Sequence, residues 1–233
     1  MASSPPSPLK KRSEGDRLRA RLRRARLELR LRLRDARPFV RRTIDVLAAG
    51  FGLLFLAPFL ALVAIAIKLS SPGPVLFRQE RIGRHGRRFG MLKLRTMIVG
   101  ADAKKAVLAT ATAQGVRFKM KHDPRIFPLG RYLRKFSIDE LPQLWNVLIG
   151  EMTLVGPRPP LRSEVERYNP YELRRLEMTQ GLTCFWQVGG RSDIPFTEQV
   201  KLDIEYIDRS TPMDDFRLLT RTIPAVITGR GAY

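Results

Sequence analysis

The sequence predicts a mostly helical α+β fold, in which a re-entrant membrane helix precedes a small domain carrying a short β-hairpin. Three features predict it: an uncharged run at residues 46–67, two strand-like segments flanking Gly83-Arg84-His85-Gly86, and helical spacing of apolar residues through most of the chain beyond the second strand. A chain of 233 residues with 44% apolar content can bury one ordinary core, or a smaller core plus a membrane segment.

Residues 1–15, with Ser3-Ser4-Pro5-Pro6-Ser7-Pro8, form a leader expected to be disordered. Residues 16–37 are rich in Arg and Leu without proline, and Leu18, Leu22, Ala25 and Leu29 recur at helical spacing, which predicts a basic amphipathic helix. Residues 38–70 hold the membrane helix. Its 22 uncharged residues at 46–67 would give roughly 33 Å of helix against a hydrocarbon core of about 30 Å. Pro58, near the middle, removes a backbone donor and favours a bend. Charge also argues against a simple span: residues 26–45 carry seven Lys/Arg and residues 68–87 carry five, so neither end is marked as the outer one. A helix that enters, bends at Pro58 and returns to the same face satisfies both observations. Residues 71–233 form the remaining domain. Its expected hairpin pairs residues 75–81 with 88–95, and helices are expected near 100–113, 128–136, 140–149, 160–178, 196–209 and 213–228, with an extended stretch at 182–188.

The net charge of +21 implies anionic partners. Residues 1–42 carry 15 Lys/Arg against four Asp/Glu, a net of +11, directly before the apolar run. Acidic lipid accounts for that placement, each basic group contributing about 1 kcal/mol at a membrane surface. The rival reading, a membrane-tethered nucleic-acid-binding protein, is weakened because residues 16–37 hold no aromatic side chain to stack on bases. The single cysteine, Cys184, excludes an internal disulfide and reads as a packed small residue. His85 and His122 have no partners at zinc-ligand spacing, and neither a P-loop nor a dinucleotide fingerprint is present.

The densest chemistry lies at residues 131–146. Ser137 and Glu140 have capping-box spacing ahead of an apolar run, which predicts a helix with Asp139 and Glu140 in its first turn. There the helix dipole would favour an ionised carboxylate and a bound phosphate. Arg134 and Lys135 stand beside the pair to stabilise phosphoryl charge, and a divalent cation shared with Glu140 would shield one anion from another. Read locally, the pair is at least as well explained as a cap and a dipole-compensating charge.

A longer pattern surrounds it. Asp123-Pro124-Arg125-Ile126, Gly130, Leu133-Arg134, the run from Ser137-Ile138-Asp139-Glu140-Leu141-Pro142-Gln143-Leu144-Trp145-Asn146 to Val147-Leu148, and Gly156-Pro157-Arg158-Pro159 together resemble the signature of the bacterial sugar transferases, the monotopic phosphoglycosyl transferases. Arg42, Asp45 and Pro58 are similar to that family's re-entrant helix, and Lys93-Leu94-Arg95-Thr96-Met97 to another of its elements. Trp186-Gln187-Val188, Gly190-Arg191-Ser192-Asp193 and the C-terminal residues resemble the branch that initiates exopolysaccharide synthesis. Departures occur at Gln180-Gly181 and at Ala57-Pro58, where some members have Pro-Gly and Ser-Pro.

The resemblance implies that residues 71–233 form a phosphoglycosyl transferase domain on the cytoplasmic face of the bacterial inner membrane. It implies transfer of hexose-1-phosphate from a UDP-hexose, glucose or galactose, to undecaprenyl phosphate with release of UMP. Asp139 would be the nucleophile and Glu140 its catalytic partner, the two together holding Mg²⁺. Lys93, Arg134, Arg158 and Arg191 would bind substrate phosphates. Expected partners are the UDP-sugar, undecaprenyl phosphate and anionic lipid, with no nucleic acid; a homodimer is left open. The remaining rival is a non-catalytic assembly protein, which the intact Asp139-Glu140 pair disfavours.

Overall fold

The computed structural model describes residues 14–101, 123–190 and 193–229, with side chains from residue 38 onward. Two units emerge, Met1–Thr43 and Ile44–Tyr233. The expected leader lies almost wholly outside the described residues, as does most of the helix expected at 100–113.

Helix α1 spans Glu14–Ser70 and passes through Pro58 without a break in helical assignment. Its stretch Pro38–Ser70 is long and apolar enough to cross a membrane, with an 18-residue window of mean hydropathy 2.5. In the second unit one stripe of this helix faces protein. Asp45, Ala49 and Ile67 are buried, and Leu53, Leu56, Leu60 and Val63 pack between them, at successive steps of three or four residues. The other faces carry Leu47, Phe51, Leu54, Phe55, Phe59, Leu62 and Ile65 in the open. Apolar area of that extent left uncovered marks a surface made for another medium.

Strands β1 (Leu76–Ile82) and β2 (Arg88–Leu94) form the expected antiparallel hairpin, with Leu76 opposite Leu94 and Ile82 opposite Arg88. His85 takes a left-handed conformation in the turn, φ 54°. Helix α2 (Pro128–Lys135) leads into a 3₁₀ turn (Ile138–Glu140) and helix α3 (Gln143–Ile149). Strand β3 (Thr153–Val155) pairs in parallel with β4 (Gly181–Thr183). That pairing needs glycine: a Cβ on Gly181 would stand 2.1 Å from the Gly156 nitrogen.

The single helix expected at 160–178 is instead α4 (Arg162–Val165), α5 (Pro170–Leu173) and a 3₁₀ turn at Arg174–Leu176. Pro170 explains the division, because it forces Asn169 into extended backbone and Asn169 then caps a new helix by accepting from the Glu172 amide at 3.0 Å. The expected extended stretch at 182–188 is also shorter. Only Gly181–Thr183 is strand, and Phe185–Gly189 forms α6. Helices α7 (Phe196–Arg209) and α8 (Pro212–Thr228) follow as expected, α8 opening on a Thr211/Asp214 capping box.

Two apolar clusters organise the second unit. One gathers Ala49, Met91, Leu144, Val147, Met152 and Leu218; the other gathers Ile67, Leu94, Phe127 and Leu133. A polar centre joins the later helices: Arg175 is fully buried, 2.7 Å from Asp203, and gives a hydrogen bond of 2.8 Å to the Tyr168 hydroxyl, while the Trp186 indole donates to Asp203 at 3.4 Å. Trp186 therefore belongs to the interior rather than to a binding surface. Replacing Asp203 by Ala strands a buried guanidinium and is expected to lower stability by about 3–5 kcal/mol, measured by chemical denaturation of the detergent-solubilised protein.

Candidate active site

Three chain segments converge on Glu140. Lys93 Nζ, from β2, and Arg158 Nη2, from the loop after β3, each donate to Glu140 Oε1 at 3.0 Å. All three side chains are largely buried. Their positions follow from neighbouring hydrogen bonds. Asn146 on α3 accepts from the Leu92 amide and donates to the Gly90 carbonyl, both at 2.9 Å, and so fixes the turn carrying Glu140 against β2. Arg81 and Ile82 on β1 hold the carbonyls of Pro159 and Pro160 at 2.9 and 3.0 Å, which anchors the loop just past Arg158. Asp45, on the apolar helix, accepts from Thr153 Oγ1 at 2.7 Å and from the Leu154 amide at 2.9 Å, tying that helix to β3. Arg95 holds the helix's other end through Ser71, Pro72 and Pro74.

The local geometry around the acidic pair differs from expectation. Ser137 makes no side-chain cap and sits in the left-handed region, φ 53°, so Asp139 and Glu140 occupy a separate 3₁₀ turn. The capping-box pattern is present in the sequence, but chain reversal between α2 and α3 takes up Ser137 as a turn residue. Asp139 is buried at 6% exposure and forms no hydrogen bond or ion pair among the described residues. Its carboxyl is raised to about 6: burial is the largest cause, and it outweighs the attraction of Lys93 while Glu140 adds repulsion. Burial thus works against the ionised form that a helix dipole would favour. Glu140 behaves oppositely. Burial acts to raise it, yet Arg158 and Lys93 together hold it well below the usual carboxylate range. Burial likewise lowers Lys93, against the pull of Glu140, whereas Glu140 raises Arg158.

Of the other expected site residues, Arg134 donates to Thr96 Oγ1 at 3.0 Å and helps to lower the Asp139 carboxyl, so it faces the pair electrostatically. Arg191 lies outside the described residues. Cys184 is buried, donates to Gln187, and burial pushes its thiol well above the ordinary value, which suits a packed side chain. Sequence reasoning missed the anchoring roles of Asp45 and Asn146. Asp45 had a detectable signal, a lone acid at the edge of an uncharged run.

The Asp139 carboxylate and Glu140 Oε2 take no hydrogen bond from the described residues, so these are the atoms that could hold a divalent cation. No group of three or more His, Cys, Asp or Glu stands among those residues.

A carboxyl whose value is raised on folding stabilises the fold below its unfolded value, near 3.8, and that stabilisation is lost as pH rises through about 6. Above pH 6 the ionised Asp139 is thus a standing cost. Asp139→Asn is expected to raise thermal stability at pH 7.5, on the order of 1–3 kcal/mol, with the gain disappearing toward pH 4 in melting curves.

Residues 36–229 match the family described as bacterial sugar transferase. The chain is 42% identical over 194 residues to the galactosyl transferase CpsE of Streptococcus agalactiae, covering 82% of this chain and 43% of that one. It is 37% identical to the exopolysaccharide production protein ExoY of Rhizobium meliloti, covering 83% and 88%. With the UDP-glucose:undecaprenyl-phosphate glucose-1-phosphate transferase of Caulobacter vibrioides it shares 40% identity, covering 83% and 72%. It therefore spans less than half of the streptococcal relative and most of the other two. The matched region contains the whole Lys93–Glu140–Arg158 cluster and Asp139, and the chain belongs to the bacterial sugar transferase family.

Proposed function

We propose that this chain transfers hexose-1-phosphate from a UDP-hexose to undecaprenyl phosphate, releasing UMP and initiating polysaccharide assembly at the cytoplasmic face of the inner membrane. The observation that carries this reading is the unpaired, buried Asp139 beside a preorganised Lys93–Glu140–Arg158 cluster. Relatives named for glucose-1-phosphate and galactose phosphate transfer to undecaprenyl phosphate support the substrate class.

The chemistry follows from the charges. An Asp139 oxygen attacks the β-phosphorus of the donor; the bond to the bridging oxygen breaks, and UMP leaves with the electron pair. The product is an acyl phosphate, the phosphosugar joined to the Asp139 carboxyl as a mixed anhydride. An oxygen of the lipid phosphate then attacks the same phosphorus, and the Asp139 carboxylate leaves unchanged. Lys93 and Arg158 each use one donor on Glu140 and keep others for phosphoryl oxygens. Glu140 holds both cations in place before substrate arrives, so little reorganisation is needed when charge develops. Mg²⁺ bound at Asp139 and Glu140 would neutralise diphosphate charge. With the carboxyl at about 6, most of it is ionised at neutral pH.

The membrane reading is re-entrant. A spanning helix leaves its ends on opposite sides, whereas here Asp45 near one end and Ile67 and Ser71 at the other are held by the same globular unit. Pro58 supplies a site for the bend. Anionic lipid is the counterpart of the basic N-terminal segment.

Purified protein with Mg²⁺, undecaprenyl phosphate and UDP-glucose or UDP-galactose is expected to release UMP by ping-pong kinetics. Asp139→Asn is expected to abolish release, and the wild-type rate is expected to fall about tenfold per pH unit below 6. Full activity of Asp139→Asn removes the covalent mechanism; no UMP with any UDP-sugar removes the function. For topology, single cysteines at Arg37 and Arg84, in a Cys184→Ser background, are expected to be labelled from the same side of sealed vesicles.

A further inference from the structure

We propose that Gln143 contacts the substrate, its side-chain amide donating to a phosphoryl oxygen of the nucleoside-diphosphate sugar while Asp139 attacks. The proposal rests on the phosphoglycosyl transfer reading and adds a residue to it.

Gln143 is 3% exposed, and its Nε2 is buried with no hydrogen-bond partner. Native interiors rarely leave an amide so placed without a reason. Among the described residues two other buried side-chain atoms share that state, Arg175 Nη2 and Gln180 Oε1. Arg175 Nη2 lies 2.7 Å from Asp203, and Gln180 already bonds two backbone carbonyls through its own amide nitrogen. The Gln143 side chain makes no hydrogen bond to any described residue.

Its position ties it to the chemistry. Leu141 and Pro142 keep right-handed helical backbone between the 3₁₀ turn and α3. Successive i→i+3 bonds from Ser137 to Trp145 make this a tight 3₁₀-like path, so Gln143, three residues beyond Glu140, stands one turn along on the same face as Glu140. Asp139 is the buried member of the acidic pair, and Gln143, four residues on, is buried as well. An amide suits that place for an electrostatic reason. Lys93, Arg134 and Arg158 already supply positive charge there, and a neutral donor adds direction to phosphate binding without further charge repulsion. In the free protein the unpaired amide is a cost; an arriving phosphoryl oxygen relieves it.

The test uses the full chain in detergent or nanodiscs, with Gln143→Met and Gln143→Glu. Met keeps the volume and removes the polar group, so the ligand-free protein is expected to melt a few degrees higher while kcat/KM for UMP release falls tenfold or more. Glu accepts but does not donate when ionised, and is expected to lose at least as much activity. Either variant within twofold of wild-type kcat/KM, or a Gln143→Met protein that melts below wild type, overturns the proposal. Absence of UMP from the wild type would remove the transferase reading itself, a result distinct from a fully active variant.

Discussion

The carboxylate of Glu140 is the point on which the described site turns. One oxygen of it receives a lysine from the hairpin and an arginine from the loop after β3, and no other described group neutralises either cation so directly. Buried cations need a partner, because desolvation costs several kcal/mol per ion. Glu140 supplies it, and in doing so brings together segments that would otherwise be positioned independently. The hairpin, the 3₁₀ turn and the β3 loop thus meet at one carboxylate.

This arrangement divides labour between adjacent acids. Glu140 absorbs the positive charge and stays ionised across the ordinary pH range. Asp139, with no direct partner, keeps its lone pairs available and bears the cost of burial. Two neighbouring carboxylates whose environments push their proton affinities apart are suited to different roles. A buried carboxyl left without a hydrogen-bond partner is sustained by the fold at some expense to stability. Gln143, another polar group without a partner, follows the same logic four residues on.

The apolar helix is built into this centre rather than attached to it. Asp45 reaches from the helix to β3, and β3 runs directly into the loop bearing Arg158. At the other end Arg95, two residues beyond Lys93, grips the chain as it leaves the helix. Displacing the helix would therefore strain both cations of the cluster.

Patterns of short range were legible in the sequence. The uncharged run, the hairpin about Gly83 and Gly86, α2, α7 and α8 each follow from spacing, turn residues and caps, because those signals are set by neighbours within one or two turns. The family resemblance named Lys93, Asp139, Glu140 and Arg158 together, and the structure brings Lys93 and Arg158 onto Glu140. Local reading failed where a residue was claimed by something distant. Ser137 has the spacing of a helix cap and serves as a turn; Phe185–Gly189 reads as extended and coils into a helix beside the buried Trp186. Tertiary structure alone decided that Lys93 and Arg158, 47 and 18 residues from Glu140, would share one oxygen, and that Asp45 would hold β3 from 108 residues away. It also decided the proton affinity of Asp139. Sequence neighbours predicted a stabilised anion, but the free energy of a charge depends on how much water surrounds it, and that quantity exists only once the chain has packed.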